Sequence, residues 1–243
     1  MALGNIPLLA QATVYSITLL LSVTALVPMA WHVRDFQGHC LLYTRGTFDS
    51  SDGHLIPEWA STFYCGLSLF VNAIAFVASL SQLVRTSFFL YRGVDSSFLG
   101  AFVDAVVSVA VASTLFLSSV FVSDGFRSWC STIEQRFPGC EEASVTELDP
   151  ADGINTLGFY VMIGTAQFAH WAGWVGWVLQ SVLCIRKLCI YHERENIIIS
   201  MARERRLLNA SQKAYTEIMQ NAPQDSAEMP AKYSDTVPIL FVD

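Results

Sequence analysis

Four cysteines are the first residues of this 243-residue chain whose types and spacing suggest a covalent chemistry. Cys40 and Cys65 lie in or beside one polar loop, and Cys130 and Cys140 lie in a second. A structural zinc site needs closely spaced ligand pairs such as CxxC, which these four do not form. We therefore expect two disulfides. Bridges within each loop are the simplest of the three possible pairings, and a bridge between the loops is the alternative.

Asp104 is the only carboxylate, and His170 the only imidazole, inside the long apolar stretches of the sequence. Such groups can relay protons or ions, or they can form hydrogen bonds between helices. Four polar side chains are expected at about the depth of Asp104 and are candidates for a polar cluster with it: Thr13, Ser79, Gln82 and Gln180. His170 lies roughly 9 Å deeper, so we expect no direct pair between the two. For both residues the relay and the packing role stay open.

A run rich in tryptophan and glycine surrounds His170 in the last apolar stretch. Trp171, Trp174 and Trp177 are three residues apart, which spreads them along one side of a helix. Gly173 and Gly176 each follow an alanine by four residues, a spacing that allows close helix approach. The pattern predicts either a ridge that binds a partner in the membrane or packing inside the bundle.

The apolar stretches themselves decide the fold class. Residues 6–31, 59–84, 98–123 and 154–185 carry at most one formal charge each. A hydrocarbon core about 30 Å thick needs about 20 helical residues, and every stretch exceeds that length. Charged residues are only 14 % of the chain, and the alternation of a barrel strand is missing. We expect an all-α membrane protein, a bundle of four transmembrane helices.

The first of these stretches has one alternative interpretation, a cleaved signal peptide. Residues 1–7 contain no Lys or Arg, however, and the apolar run is long for the hydrophobic region of a signal. A transmembrane helix is therefore the favoured interpretation, and the other stretches keep their orientation in either case.

Lys and Arg are distributed unevenly between the two sides of the predicted bundle. Ten of the fourteen lie in the loop after the second stretch or in the tail. The positive-inside bias therefore predicts cytoplasmic N- and C-termini, with loops 32–58 and 124–153 facing the lumen or the cell exterior. The four loop cysteines then fall on the outer side, where disulfides persist. The distribution of Lys and Arg and the positions of the cysteines predict the same topology.

The segment after the fourth stretch combines cysteines, cations and apolar residues. Cys184 and Cys189 are either acylation candidates or buried small hydrophobes. Between residues 186 and 213 there are seven basic and three acidic side chains, which favours an interfacial helix on anionic lipid. We predict a membrane domain over 1–208, which includes a juxtamembrane helix, and a largely disordered cytoplasmic tail over 209–243.

Two short patterns in the tail resemble sorting signals. Glu193 with Ile197 and Ile198 forms an acidic dileucine-like pattern, and Tyr215 with Ile218 forms a tyrosine-based pattern. Taken singly, each pattern is better explained by chance or by amphipathic packing. Together they predict residence in the plasma membrane or in endosomal or vesicular membranes.

Five segments in the same order resemble the transmembrane protein 179 family. They are GHCLLYT at 38–44, RTSFFL at 85–90, GFRSWC at 125–130, CEE at 140–142 and AQFAHWA at 166–172. The resemblance extends to about residue 208 and implies a four-span protein with paired outer cysteines and no assigned enzymatic chemistry. The loop tryptophan signature of claudins and the Cys-Cys-Gly of tetraspanins are absent, although the layout is similar.

The function predicted from these features is non-catalytic. No G-x-S-x-G, H-E-x-x-H or Walker pattern occurs, and we predict no cofactor. No basic groove for nucleic acid is visible either, and the expected partners are the lipid bilayer and other membrane proteins. The main hypothesis is an auxiliary or adaptor component, or a protein of vesicle traffic. The alternative is a small channel or proton-coupled transporter that uses Asp104.

Overall fold

The computed structural model describes residues 6–48, 55–93, 97–145 and 156–221. Its elements in chain order are α1 (Ile6–Asp35), β1 (Cys40–Phe48), β2 (Leu55–Ala60), α2 (Phe63–Arg92), α3 (Phe98–Ile133), α4 (Cys140–Ala143) and α5 (Phe159–Asn221). The helices α1, α2, α3 and α5 are long and apolar enough to cross a membrane. The prediction of four membrane-crossing helices is confirmed.

Local sequence signals set the facing ends of α2 and α3. Gly93 ends α2 in the left-handed conformation, with φ at 66°, which glycine adopts without steric cost. Ser97 caps α3, because its side chain accepts a hydrogen bond from the backbone N–H of Gly100 at 3.3 Å. Within the spans, hydroxyls such as that of Ser113 donate to their own helix, here to the Val109 carbonyl at 2.9 Å. The hydroxyl groups of such side chains can therefore face lipid, because their hydrogens are already bonded to backbone carbonyls of the same helix.

Two clusters of buried apolar side chains hold the helices together. The cluster beside the strands, called the hairpin cluster here, includes Met29, Phe36, Leu41, Leu42, Cys65, Trp129 and Phe159. The mid-bundle cluster consists of Tyr15, Val71, Ala75, Val111, Ala112, Leu115 and Trp177. In the hairpin cluster the late parts of α1 and α3 meet the early parts of α2 and α5. The four helices therefore alternate in direction, as a four-span chain with short connections requires.

β1 and β2 form an antiparallel two-stranded sheet that the sequence analysis did not predict. The pairing aligns Cys40 with Ala60 and Arg45 with Glu58, with an irregularity between Cys40 and Arg45. Tyr43 lies within this irregularity and has a φ of 65°, a conformation typical of a bulge. A lone two-stranded sheet is marginally stable in water, so the strands depend on packing against the helices rather than on their own propensity.

A glycine in α3 allows the hairpin to lie directly on the bundle. A Cβ atom at Gly125 would come within 2.9 Å of the Leu42 Cβ and of the Tyr43 ring. Leu41 and Leu42 are fully buried as a result. The residue at position 125 thus sets how closely β1 approaches α3.

The helices extend beyond the apolar stretches from which they were predicted. α2 runs on to Arg92 and α3 to Ile133, so both include residues that the sequence analysis assigned to loops. α5 continues through the predicted boundary at residue 208 to Asn221. A hydropathy pattern marks the part of a helix that lipid can cover, and helical hydrogen bonding continues past it.

Contacts divide the chain into two compact units, Met1–His192 and Glu193–Asp243. The first unit contains the hairpin, α1 to α4 and the early part of α5. In the second unit the described part is the helix up to Asn221. The predicted disordered tail falls largely on residues 222–243, which lie outside the described residues, and the assignment of domains at residue 208 stays a prediction.

Candidate functional site

Two disulfides link elements at the end of the bundle where β1 and β2 lie, called the hairpin end here. Cys40 is bonded to Cys65, with Cα atoms 5.7 Å apart, and Cys130 is bonded to Cys140, with Cα atoms 5.2 Å apart. This is the pairing within loops, not the bridge between them. The bridges close loops with sequence separations of 25 and 10, which corresponds to about 3.5 and about 2.7 kcal/mol of restricted unfolded chain.

Asp104 lies at the opposite end of the bundle and is paired with a cation. Its carboxylate forms an ion pair with Arg85 and accepts a hydrogen bond from Gln82 Nε2 at 3.0 Å. The side chain of Asp104 is 15 % exposed and that of Arg85 is 36 % exposed. Gln82 and Arg85 are three residues apart on α2, so both face the same residue of α3. The pair neutralises the one carboxylate of the predicted spans and ties α2 to α3.

The other residues predicted at this depth do not join Asp104. Thr13 is exposed and donates to the Leu9 carbonyl at 2.8 Å. Ser79 shares a hydrogen bond of 3.1 Å with Thr18 instead. The expected polar cluster was therefore wrong in these members, because equal depth does not place two side chains on facing sides of their helices. Arg85 was missed, since the sequence analysis placed it in a loop.

Gln180 belongs to a separate set of contacts around Cys184. The Cys184 sulfur lies 3.6 Å from the amide nitrogens of Gln180 and Gln11, and 3.8 Å from Ser108 Oγ. Cys184 is only 1 % exposed. An acyltransferase has no access to such a thiol, so Cys184 is better interpreted as a buried polar contact between helices. Cys189 is exposed and remains the acylation candidate.

His170 connects α5 to α2 in the interior of the bundle. Its Nε2 atom lies 2.9 Å from Ser68 Oγ and 2.9 Å from Asn72 Nδ2. Asn72 also donates to the Ser68 carbonyl at 2.9 Å, which fixes its orientation. The imidazole is fully buried, and its Nδ1 atom has no partner among the described residues. Sequence reasoning missed Asn72, although a lone asparagine in an apolar stretch is a signal for such a bond.

The three tryptophans do not form one ridge, so that interpretation is corrected. Trp177 is fully buried and makes an edge contact with Tyr15, with ring centres 6.0 Å apart. Trp171 and Trp174 lie against Phe116 of α3 instead, with ring centres 6.1 and 5.4 Å away. Three residues advance a helix by less than a full turn, so the third ring has rotated away from the first. Trp177 packs the core, and Trp171 and Trp174 form an aromatic wall at the surface.

The two glycines of this run also differ in their surroundings. A Cβ atom at Gly176 would lie 2.7 Å from Thr18 Cγ2, so this glycine allows α5 to approach α1 closely. No atom lies within 4 Å of the corresponding position at Gly173. The small-residue spacing therefore predicted a real close approach at Gly176 and none at Gly173.

An apolar groove opens between α3 and α5 beside this aromatic wall. Its volume is about 480 Å³, and its lining residues are Val109, Ala112, Ser113, Phe116, Leu117, Trp174, Val178, Ser181 and Val182. Ser113 and Ser181 donate to carbonyls of their own helices at 2.9 and 2.8 Å, so neither hydroxyl offers a free donor to the groove. Leu117 is 56 % exposed, so the groove is open to the side. It can accept apolar atoms and offers little to a polar ligand.

Tyr43 forms the polar contact between the hairpin and α3. Its hydroxyl donates to Asp124 Oδ2 at 3.1 Å. Partial burial and the neighbouring Asp124 carboxylate raise the pKa of Tyr43 to about 12. The phenol therefore stays protonated and keeps donating this hydrogen bond through the physiological pH range.

Within the described residues no group of three His, Cys, Asp or Glu side chains could hold a metal ion.

The sequence model of one family, the Transmembrane protein 179/179B Claudin domain, matches residues 7–209. The chain belongs to this family. The Claudin domain is a four-span membrane fold, so the protein is an integral multi-pass membrane protein. The matched range contains both disulfide-bonded cysteine pairs, and it also contains Asp104 and His170. The resemblance to the transmembrane protein 179 family is confirmed. No solved structure matches the chain.

One of the two sorting patterns lies inside the match to the Transmembrane protein 179/179B Claudin domain, and the other lies beyond its end. Glu193, Ile197 and Ile198 are exposed on α5 inside the matched range. Tyr215 is 66 % exposed and lies outside that range, and the side chain of Ile218 is outside the described set. The family therefore adds support for neither pattern, and both stay predictions.

Proposed function

We propose that this protein is a non-catalytic auxiliary or adaptor component that binds a transmembrane helix of another membrane protein in the groove between α3 and α5. The observation that carries the proposal is the groove itself, an opening of about 480 Å³ on the side of a four-span bundle. Membership of the Claudin-domain family supports a multi-pass membrane role without supplying a partner.

The chemistry of the groove favours a helix as the occupant. Its floor includes Ala112, Ser113 and Ser181, small residues that allow close approach of a second backbone. Phe116 and Trp174 form one wall, with ring centres 5.4 Å apart, and large aromatic side chains dominate the energetics of many interfaces. The lining on α3 spans 109–117, about 12 Å of helix, which matches two turns of a partner.

We also propose that both termini face the cytoplasm and that the disulfide-bonded end faces the lumen or the exterior. The distribution of Lys and Arg supports this orientation. So does the chemistry of the cysteines, because the bridged ones lie at the hairpin end, whereas the free ones, Cys184 and Cys189, lie near the middle of α5, away from that end. Plasma membrane and endosomal or vesicular membranes are both consistent with it, as is a role in vesicle traffic.

The alternative function, a channel or proton-coupled transporter, gains no support from the surroundings of Asp104. The carboxylate forms an ion pair with Arg85 and accepts a hydrogen bond from Gln82 Nε2, so it already has two partners within the protein. A transported proton would first have to displace this arginine. The geometry supports a role for Asp104 in holding α2 to α3.

Replacing a wall residue of the groove tests the proposed function. We expect Trp174→Ala to lower recovery of the partner by about tenfold or more, because a well-packed aromatic at an interface contributes about 2 kcal/mol. The measurement is quantitative proximity labelling followed by co-purification in mild detergent. The matched control is Phe168→Ala, which removes a ring that is 69 % exposed on the same helix and does not line the groove.

Two results would contradict the proposal. One is equal recovery of membrane partners by the wild type and both variants. The other is equal loss in the Trp174 and Phe168 variants, which would place binding on another face of α5. The amount of folded protein, measured by size-exclusion chromatography, must match across the three proteins before recovery is compared.

A further inference from the structure

The helix over residues 193–221 exposes a line of apolar side chains. Ile197, Met201, Leu208 and Tyr215 are 49, 48, 60 and 66 % exposed. Their spacings of four and seven residues place them on one face of the helix. Every described side chain from Glu193 to Glu217 is exposed, so none of the described residues of this unit covers that face. A solitary helix that exposes a continuous apolar line needs a surface to bury it.

The charges of the same helix indicate what that surface is. Four cations, Arg203, Arg205, Arg206 and Lys213, lie within three turns, and Glu204 is the one acidic side chain among them. All five are exposed. Two copies of the helix would bring these cations together, which opposes self-association. An anionic surface would attract them, by about 1 kcal/mol for each cation that comes near.

We propose that α5 bends after its membrane-crossing part and that the helix over residues 193–221 docks on anionic phospholipid of the leaflet that it faces, with the apolar line inserted among the headgroups. Interfacial helices bury such a face by about 5 to 10 Å, and the Lys and Arg side chains of the polar face stay close enough to the lipid surface to be attracted to it. The helix follows a membrane-crossing segment in the sequence, so the lipid surface is always present at high effective concentration. The proposal goes beyond partner binding in the groove and uses none of its residues.

An environment-sensitive fluorophore on the full-length protein tests the docking. The background is Cys189→Ser, which removes the exposed thiol and leaves Cys184 buried. In this background Met201→Cys places the label on the apolar line. Ala210→Cys is the matched control, because at 100° per residue it lies on the opposite face. Each protein is placed in nanodiscs of phosphatidylcholine alone, and in nanodiscs that also contain phosphatidylserine.

The expected result is a blue shift at position 201 when phosphatidylserine is present, no shift at position 210, and loss of the shift in high salt. The combined variant Arg203→Glu, Arg205→Glu and Arg206→Glu should also abolish the shift. An equal emission in both lipids, or a shift that follows protein density rather than lipid charge, would overturn the proposal. Trp174→Ala should leave the shift unchanged, so this result and the partner-binding result are separable.

Discussion

Arg85→Ala should destabilise the bundle by about 2 to 3 kcal/mol, because it leaves the Asp104 carboxylate without its cation at the edge of the apolar region. The expected cost is below that of breaking a fully buried pair, since the Arg85 side chain is 36 % exposed. The measurement is thermal unfolding of the purified protein in detergent, monitored as the loss of the monodisperse peak in size-exclusion chromatography.

The second half of this test is a double-mutant cycle. Adding Asp104→Asn to Arg85→Ala should recover much of the lost stability, because a neutral amide can still accept the hydrogen bond from Gln82 Nε2. Arg92→Ala is the matched control, since Arg92 is exposed and lies over the Phe88 ring rather than beside a carboxylate. If the two changes are simply additive, Asp104 and Arg85 do not act as a pair.

Removal of the bridge between Cys40 and Cys65 is expected to have the largest effect of all. Replacing both residues with serine should cost about 3.5 kcal/mol and release the start of β1 from the start of α2. The corresponding change at Cys130 and Cys140 should cost less, about 2.7 kcal/mol, because its loop is shorter. The measurement is thermal unfolding with and without a reducing agent.

The reducing agent provides the internal control for both bridges. It should destabilise the wild type and have less effect on each double variant, and none on a variant that lacks all four cysteines. Cys189→Ser should behave as the wild type, because that thiol is free. A wild-type protein whose unfolding is insensitive to reduction would show that the bridges are absent or carry no stability.

Sequence patterns were sufficient for the spans and for the presence of disulfides, since both follow from one-dimensional signals. Apolar length predicts a membrane-crossing helix, and the topology places the cysteines in pairs. Side-chain contacts between different helices were harder to predict from the sequence. Depth along the bundle predicted Gln82 beside Asp104 correctly but not Ser79 or Gln180, because depth carries no information on which face of each helix turns inward.

Arg85 and the hairpin show two further limits. A charged residue just past an apolar stretch looks like loop, yet α2 continues to Arg92 and carries Arg85 to the carboxylate. The strands have few β-branched residues, and they are stabilised by burial of Leu41 and Leu42 on α3. Tertiary packing decides such elements, and a single sequence does not contain it.

The side of the membrane on which each end lies decides which leaflet the helix over residues 193–221 meets and which compartment surrounds the disulfides. Two variants that each add one exposed cysteine to the Cys189→Ser background test it. They are Val145→Cys at the disulfide-bonded end and Ile198→Cys on the helix over residues 193–221, where the side chains are 75 and 62 % exposed. Intact cells are first treated with an unlabelled membrane-impermeant thiol reagent, which blocks thiols on the exterior. The plasma membrane alone is then opened, and a labelled impermeant reagent is added. The account predicts rapid labelling at position 198 from the cytosol and none at position 145 from that side. Labelling of position 145 from the cytosol, with protection of position 198, would contradict it.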